Sequence, residues 1–306
     1  MRIGRRILQG LLLAGLAACS VASQEHRDDI DTVANDRAFP APSRIVSMNP
    51  CVDTILREVA APGQIAAISH YSQDPDSASV PVEWARRYPA VGDNAEDVLA
   101  LRPDLVIASS HVPPQTITAL RRMDIPLLQL PLPNTIYESI EQVGFIARHI
   151  GRDEQGRALA RRIVRAVRDA HATVGRSSPA ALVWQDGGLV LGTGTLTDSL
   201  LAHTGFRNSA ADRHIAQWGV LSLEDILLQP PAIIMSNKAA MANRNGDGGS
   251  RLLSHPALRK AQAHIMIADL PARYLHCGGP SIIPAARRLA SIHRAWAGRD
   301  KELAAR

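Results

Sequence analysis

Aromatic residues are scarce in this chain, and that scarcity is the first constraint on it. Tyr, Trp and Phe make up 4% of 306 residues, as four Tyr, four Trp and three Phe. A nucleic-acid grip built from a Lys/Arg stripe interleaved with aromatic rings is absent, so composition gives no support to a nucleic-acid partner. Cysteine is rarer still: there are three, and no Cys-x-x-Cys occurs. Catalytic signatures are missing too. The chain has no Gly-x-Ser-x-Gly elbow, no His-Glu-x-x-His, and no Gly-x-x-x-x-Gly-Lys-Ser/Thr loop. Gly192-Thr193-Gly194-Thr195 is Gly-rich but lacks the Lys of a phosphate cradle, and it reads as a turn before a helix opening at Thr197.

The longest early apolar run, Ile7 to Leu16, is too short to span a bilayer as a permanent helix. Arg2, Arg5 and Arg6 precede it and small residues follow, which is the layout of a secretory signal at residues 1–18. Leu16-Ala17-Ala18-Cys19 fits a bacterial lipobox, so Cys19 is expected to be acylated and to become the first residue. The alternative is an ordinary signal peptide cleaved near Ala18 or Ala22. Several acyl chains would hold the protein firmly to a membrane. Ser20 after the Cys favours the outer membrane of a bacterium, facing the periplasm. Residues 19–42 are polar and aperiodic and read as a flexible tether. Removing residues 1–18 takes away three Arg and no acid, which lowers the formal charge from +5 to +2. The apparent basicity therefore belongs in part to the signal.

The rest of the chain, 46% hydrophobic overall, is long enough for two domains with real cores. Short apolar runs at Arg44–Met48, Ile65–Ile68, Leu105–Ala108 and Pro126–Leu130 alternate with helical patterns at Asp53–Val59, Glu96–Leu101, Thr116–Met123 and Ile136–Ile150. Such alternation predicts βα units and a mainly parallel sheet over residues 43–151. From Asp153 to Val174 the pattern becomes one helix: Leu159, Ile163, Ala166, Ala170 and Val174 share a face, with Gly175 as its cap. This connecting segment is 152–176. A second α/β lobe follows at 177–306, with strands at Ala180–Trp184, Leu189–Leu191, Ile233–Met235 and Ile265–Ile267, and a closing helix from Pro284 to Trp296. One sentence is written twice. AEDVLALRPDLVI at 95–107 and LEDILLQPPAIIM at 223–235 share a helix-Pro-strand layout, and Glu96 and Glu224 stand 128 positions apart.

In open parallel sheets, ligands bind beyond the carboxyl ends of the strands. Those ends carry His70 and Tyr71, His111, and Trp184; Trp218 precedes the echo helix, while Tyr274 and His276 follow the last strand. A cleft walled by Trp and Tyr suits a large flat ligand, and a neutral imidazole can bind a metal that it carries. Each residue also has a plainer role open to it: a loop His as a solvated or capping residue, Trp184 and Trp218 as seals on the lobe cores. With Cys19 lipidated, Cys51 and Cys277 remain. They are able to pair in an oxidising compartment, or Cys51 is a small buried hydrophobe.

Arg44-Ile45-Val46-Ser47-Met48-Asn49-Pro50, Gly92, the Glu96–Ile107 segment, the long helix and the echo at Glu224–Met235 together resemble the periplasmic substrate-binding proteins of ABC importers for iron-siderophores, haem and cobalamin. The resemblance covers nearly all of the chain beyond the tether. It implies an α/β fold of two Rossmann-like lobes with mainly parallel sheets, joined by a single long α-helix, and a ligand gripped in the cleft without chemistry. The expected partners are an ABC permease dimer with its ATPase and a small metal-chelate, contacted by a monomer. Glu96 and Glu224 match the positions that dock on the two permease subunits; their plainer role is to favour the first turn of a short helix. Within the family the chain most resembles cobalamin binders, with Tyr71 and Trp218 at corrin-stacking positions. Ser109-Ser110-His111 and Cys277-Gly278-Gly279-Pro280 depart from that template. His70, His111 and His276 suit haem or a bare metal ion, and Arg273 is the candidate partner of a ferric siderophore. Two other classes stay open: a secreted metal-ion-binding protein or metal-dependent enzyme using His70, His111 and His276, and a partner-binding lipoprotein that transports nothing.

Overall fold

The computed structural model describes residues 41–175, 177–237, 255–261 and 264–304. The signal, Cys19, the tether up to residue 40 and the Gly-rich stretch 243–250, which the sequence marks as a flexible loop, lie outside the described residues.

The first lobe is a five-stranded sheet, β1 (Ile45–Ser47), β2 (Ile65–Ser69), β3 (Ala90–Val91), β4 (Leu105–Ser109) and β5 (Leu127–Leu130), in the order β3-β2-β1-β4-β5 and parallel throughout. Helices α1 (Pro50–Val59), α2 (Val82–Ala85), α3 (Ala95–Ala100), α4 (Pro114–Arg122) and α5 (Ile136–His149) connect or follow the strands. Two charged residues of the sequence motif tie the sheet's entry together. Asp104 accepts from the Ser43 and Arg44 amides at 2.7 and 2.8 Å, and Arg44 Nη2 donates to Leu101 O at 2.6 Å.

The second lobe contains β6 (Ala180–Val183), β7 (Leu189–Leu191), β8 (Arg207–Asn208), β9 (Trp218–Val220), β10 (Ile233–Ser236) and β11 (Met266–Asp269). Four of these form a parallel sheet that reads β8-β6-β10-β11, the same layout as β2-β1-β4-β5. β7 and β9 form a separate antiparallel ribbon. Helices α7 (Leu196–His203) and α8 (Leu223–Leu228), and the helices Pro256–Ala261 and Ile282–Ala304, accompany them. No helix among the described residues is long and apolar enough to cross a membrane.

Strand alternation decides where the cores sit. Ile45, Leu105, Ile107, Ala181, Val183, Ile233 and Met235 face one core shared by both lobes; Val46 and Val106 face a second core, and Leu182 and Ile234 a third. Buried on both faces, such strands read as continuous apolar runs, which is why the alternation of elements was legible while the period of two was not.

The connecting helix α6 (Asp153–Asp169) presses Leu159 and Ile163 into the shared core, where Leu289 and Ile292 of the C-terminal helix meet them. Each such side chain contributes roughly 1.5–3 kcal/mol on burial. Gly156 permits the close approach of α5, since a Cβ there would lie 2.3 Å from the Ala147 methyl. The helix ends at Asp169, five residues before the expected Val174, and Gly175 is not its cap. The reason is tertiary: Ala172 N donates to His203 O at 3.1 Å and Ala172 bridges to Thr204, drawing the chain out of the helix.

α6 is not the sole tie between lobes. Cys51 at the start of α1 is joined by a disulfide to Cys277, 226 residues away. Next to it, Gly279 N donates to Ser139 Oγ of α5 at 2.7 Å. Gly279 is in the left-handed region with φ 59°, and a Cβ there would approach Ile55 of α1 to 2.9 Å. Glycine is what lets this second-lobe segment wedge between first-lobe helices.

Candidate functional site

In a parallel sheet whose order reverses, the crevice lies beyond the strand ends at the switch point, which here is between β1 and β4. A cavity of about 410 Å³ opens there. Its first wall is the turn from β1 to α1. Asn49 caps the helix by accepting from Cys51 N at 2.9 Å, and Pro50 occupies the first turn, where a missing N–H costs nothing. Met48, Asn49, Pro50 and Cys51 all line the cavity.

The second wall comes from the turn after β2, a single 3₁₀ element at His70–Gln73. Tyr71 lines the cavity and is 44% exposed. The His70 ring stacks on it, with centroids 4.0 Å apart. His70 Nδ1 lies 3.1 Å from Val91 O. A carbonyl only accepts, so Nδ1 is the donor in this contact. His70 itself does not line the cavity. Beyond β4, Ser109, His111 and Val112 contribute a third wall, with the His111 amide donating to Ser109 Oγ at 3.2 Å. Asp93, Ser77 and Leu132 complete the first-lobe lining. From the second lobe come His276 and Cys277, so the disulfide is part of the wall.

Of the residues proposed from sequence, the structure gathers Tyr71, His111 and His276 at this cavity. Trp184 is elsewhere: it is 2% exposed and packs with Leu182, Val190, Leu221 and Ile234 in the outer core of the second lobe. The β7–β9 ribbon folds over it, and the seal role is the one it occupies. Trp218 stands 69% exposed on that ribbon, outside the cavity lining. Tyr274 is half-buried against the shared core, with the Arg273 guanidinium 5.3 Å above its ring. His70, His111 and His276 do not form one ligand set. Among the described residues no group of three His, Cys, Asp or Glu side chains is placed to hold a metal ion.

Sequence reasoning missed Met48, Asp93, Ser109 and Leu132 as lining residues. Asn49-Pro50 was read only as a turn, although its position at a strand's carboxyl end was the available signal. It also missed Asp53, an acid in an otherwise apolar stretch of α1. Asp53 is completely buried; its Oδ2 accepts from Ser72 Oγ at 2.6 Å and from Ser69 N at 3.1 Å. Burial pushes its pKa up from 3.8 to about 7, opposed by the hydrogen bonds from Ser72 and Ser69.

Glu96 and Glu224 are both exposed, in the first turns of α3 and α8. Those helices begin and end at the same 128-residue offset. The neighbouring acid serves the helix: Asn94 accepts from Asp97 N at 2.9 Å, and Ser222 with Asp225 forms a reciprocal capping box. Each Glu is therefore left free of that duty, pointing into solvent.

The family described as periplasmic binding protein matches residues 45–269. A vitamin B12-binding protein of Vibrio cholerae is 24% identical over 211 residues, spanning 68% of this chain and 74% of that protein. Among solved structures, a periplasmic heme-binding protein of Roseiflexus sp. RS-1 superposes with a TM-score of 0.66 at 24% identity, over 83% of this chain and 97% of that one. A periplasmic heme-binding protein of Vibrio cholerae gives a TM-score of 0.66 at 19% identity, over 81% and 98%. These structural likenesses establish the two-lobed fold.

Proposed function

Because this chain belongs to the periplasmic binding protein family, we propose that it captures a metal-chelate of the cobalamin, haem or ferric-siderophore class and hands it to an ABC importer. The observation that carries the reading is the convergence of Tyr71, His111 and His276, from both lobes, on one cavity at the sheet's switch point. A ring such as Tyr71 offers a flat apolar face to a macrocycle. The two imidazoles offer nitrogen to its metal. No side chain is assigned a catalytic role: the site binds and releases.

Delivery follows from the duplicated Glu96 and Glu224. A permease of two related subunits presents one basic patch per subunit, and a monomer meets both only with acids placed pseudo-symmetrically. Cys19, as an acylated first residue, would keep the protein at the bacterial membrane, on the periplasmic side. Arg273, engaged over Tyr274 rather than at the cavity, gives a ferric siderophore the least support of the three ligands.

The test is a visible-absorbance titration of a soluble form beginning after Cys19, with cyanocobalamin, haemin and a ferric hydroxamate in parallel. One saturable spectral change, weakened in Tyr71→Ala and His276→Ala, is the expected result. No change with any of the three would sink the chelate reading. Glu96→Ala with Glu224→Ala should abolish uptake while leaving binding intact; unchanged uptake would remove the docking assignment.

A further inference from the structure

The wall that presents Tyr71 rests on a carboxylate that never touches the cavity. Asp53 lies in the first turn of α1, fully buried, and its Oδ2 takes the Ser72 hydroxyl at 2.6 Å and the Ser69 amide at 3.1 Å. These two donors bracket His70 and Tyr71. We propose that Asp53 is a positioning residue for ligand capture: by gripping Ser69 and Ser72 it holds the His70–Gln73 turn, and with it Tyr71, at the edge of the cavity. The inference rests on the cavity being the ligand site.

Three clamps hold the turn. Gln73 Nε2 donates to Ala85 O at 3.3 Å and Tyr88 O at 2.9 Å, and His70 Nδ1 donates to Val91 O. Only at Asp53 is the clamp both buried and able to gain or lose a proton. Its Oδ1 makes no hydrogen bond, an arrangement that costs stability and that packing alone does not require. Ionised, the carboxylate pulls on both donors through charge-assisted bonds; protonated, it keeps the acceptor geometry with a weaker grip. The placement of Tyr71 therefore depends on pH.

The surroundings leave few other titrating groups to confuse that dependence. α1 packs against β1, β2, the His70–Gln73 turn, α5, α6 and the turn at Gly279–Ser281. β1, β2 and the Gly279–Ser281 turn contain no titratable side chain, and the buried residues of α5 and α6 are uncharged. Arg162 of α6 is held by Glu58 at 2.7 Å, and Arg57 also contacts Glu58. His70 and Tyr71 are the titratable groups on the turn, and Cys51 and Cys277 are locked in the disulfide.

The experiment uses the protein with tyrosine carrying ¹³C only at the ring Cζ, which gives four signals, one each from Tyr71, Tyr88, Tyr137 and Tyr274. Wild type, Asp53→Asn, Ser72→Ala and His70→Gln are followed from pH 5 to pH 9. The Tyr71 signal is expected to move with a single midpoint near 7 while the other three stay put. The movement should vanish in Asp53→Asn and persist in His70→Gln. A static Tyr71 signal, four tyrosines moving together, or a movement that survives Asp53→Asn and is lost in His70→Gln, would each overturn the proposal. Should Asp53→Asn fail to fold, Ser72→Ala decides it, because deleting one hydroxyl must displace the Tyr71 signal. Binding is measured in parallel with haemin and cyanocobalamin, where Ser72→Ala should weaken affinity about tenfold at pH 8. If neither probe binds wild type, the chelate reading fails and the ring titration still decides what Asp53 does.

Discussion

The two lobes carry the same sheet order and use their switch points in opposite ways. In the first lobe, the ends of β1 and β4 open onto the cavity through Met48, Asn49, Ser109 and His111. In the second, the equivalent strands are β6 and β10, and β6 runs straight into Trp184, whose amide donates to Met235 O. The β7–β9 ribbon then closes over that indole. One lobe leaves its crevice open as a cavity wall and the other fills it with core. A duplicated fold thus gives duplicated outer surfaces, seen in α3 and α8, without duplicating the site.

The two lobes also differ in how the helix after the first strand ties to the neighbouring strand. Asp53 of α1 reaches the end of β2 from complete burial, with one oxygen unbonded. Asp198 of α7 reaches Asn208 of β8 at 3.0 Å while half-buried, and its other oxygen accepts from Gly194 N at 3.2 Å. The first arrangement is the costly one, and it grips the two residues that flank His70 and Tyr71.

The sharpest way to break the comparison is at the two tryptophans. Trp184→Ala should destabilise the protein by about 3–5 kcal/mol, as loss of a buried indole does, with a melting curve as the readout. Trp218→Ala, at 69% exposure, should change stability by less than about 0.5 kcal/mol. Equal effects would mean that the ribbon does not seal the second lobe as described.

Next in size is the buried acid. Its folded-state pKa lies above its ordinary value, so the folded protein retains a proton that the unfolded chain has released. The penalty is absent below about pH 3.8, grows as pH rises towards about 7, and is constant beyond. Denaturant titrations should show stability falling by about 4 kcal/mol across that window, and Asp53→Asn should flatten the fall. A slope unaltered in the variant would assign the pH dependence to other groups.

Comparable but more variable is the covalent tie. Cys51→Ser or Cys277→Ser should cost about 2–5 kcal/mol in equilibrium unfolding, since the bond closes a long loop. Mass measured without reductant should show the native protein lighter by two hydrogens than the dithiol; a dithiol mass would remove the bond from the cavity wall. The smallest effects test the symmetry itself. Asn94→Ala and Ser222→Ala each remove one side-chain cap and should cost about 1 kcal/mol apiece. A markedly larger loss in one lobe would show that the matching helices do not bear equal loads.

Much of the architecture was legible because it is written locally. Apolar runs separated by helical patterns placed eight of the eleven described strands to within a residue or two, while the short strands Ala90–Val91, Arg207–Asn208 and Trp218–Val220 went unread, and the echo at 95–107 and 223–235 anticipated two matching helices. The site was only partly legible. Position after a strand picks out Tyr71, His111 and His276, which line the cavity, but Trp184 obeys the same rule and points inward. Nothing within a few residues of either Trp tells which one a ribbon will cover. The end of α6 at Asp169 likewise depends on Ala172 meeting His203, residues that share no sequence pattern.

By itself, the sequence determined the alternation of strands and helices, the doubling of the lobe and the paired exposed acids, since these follow from the periodicity of side chains and the chemistry of caps. Tertiary structure alone decided which strand ends stay open, that Cys51 meets Cys277, and that Asp53 is buried against Ser69 and Ser72. Those outcomes depend on contacts between segments far apart in the chain, where packing and desolvation, not local propensity, set the free energy.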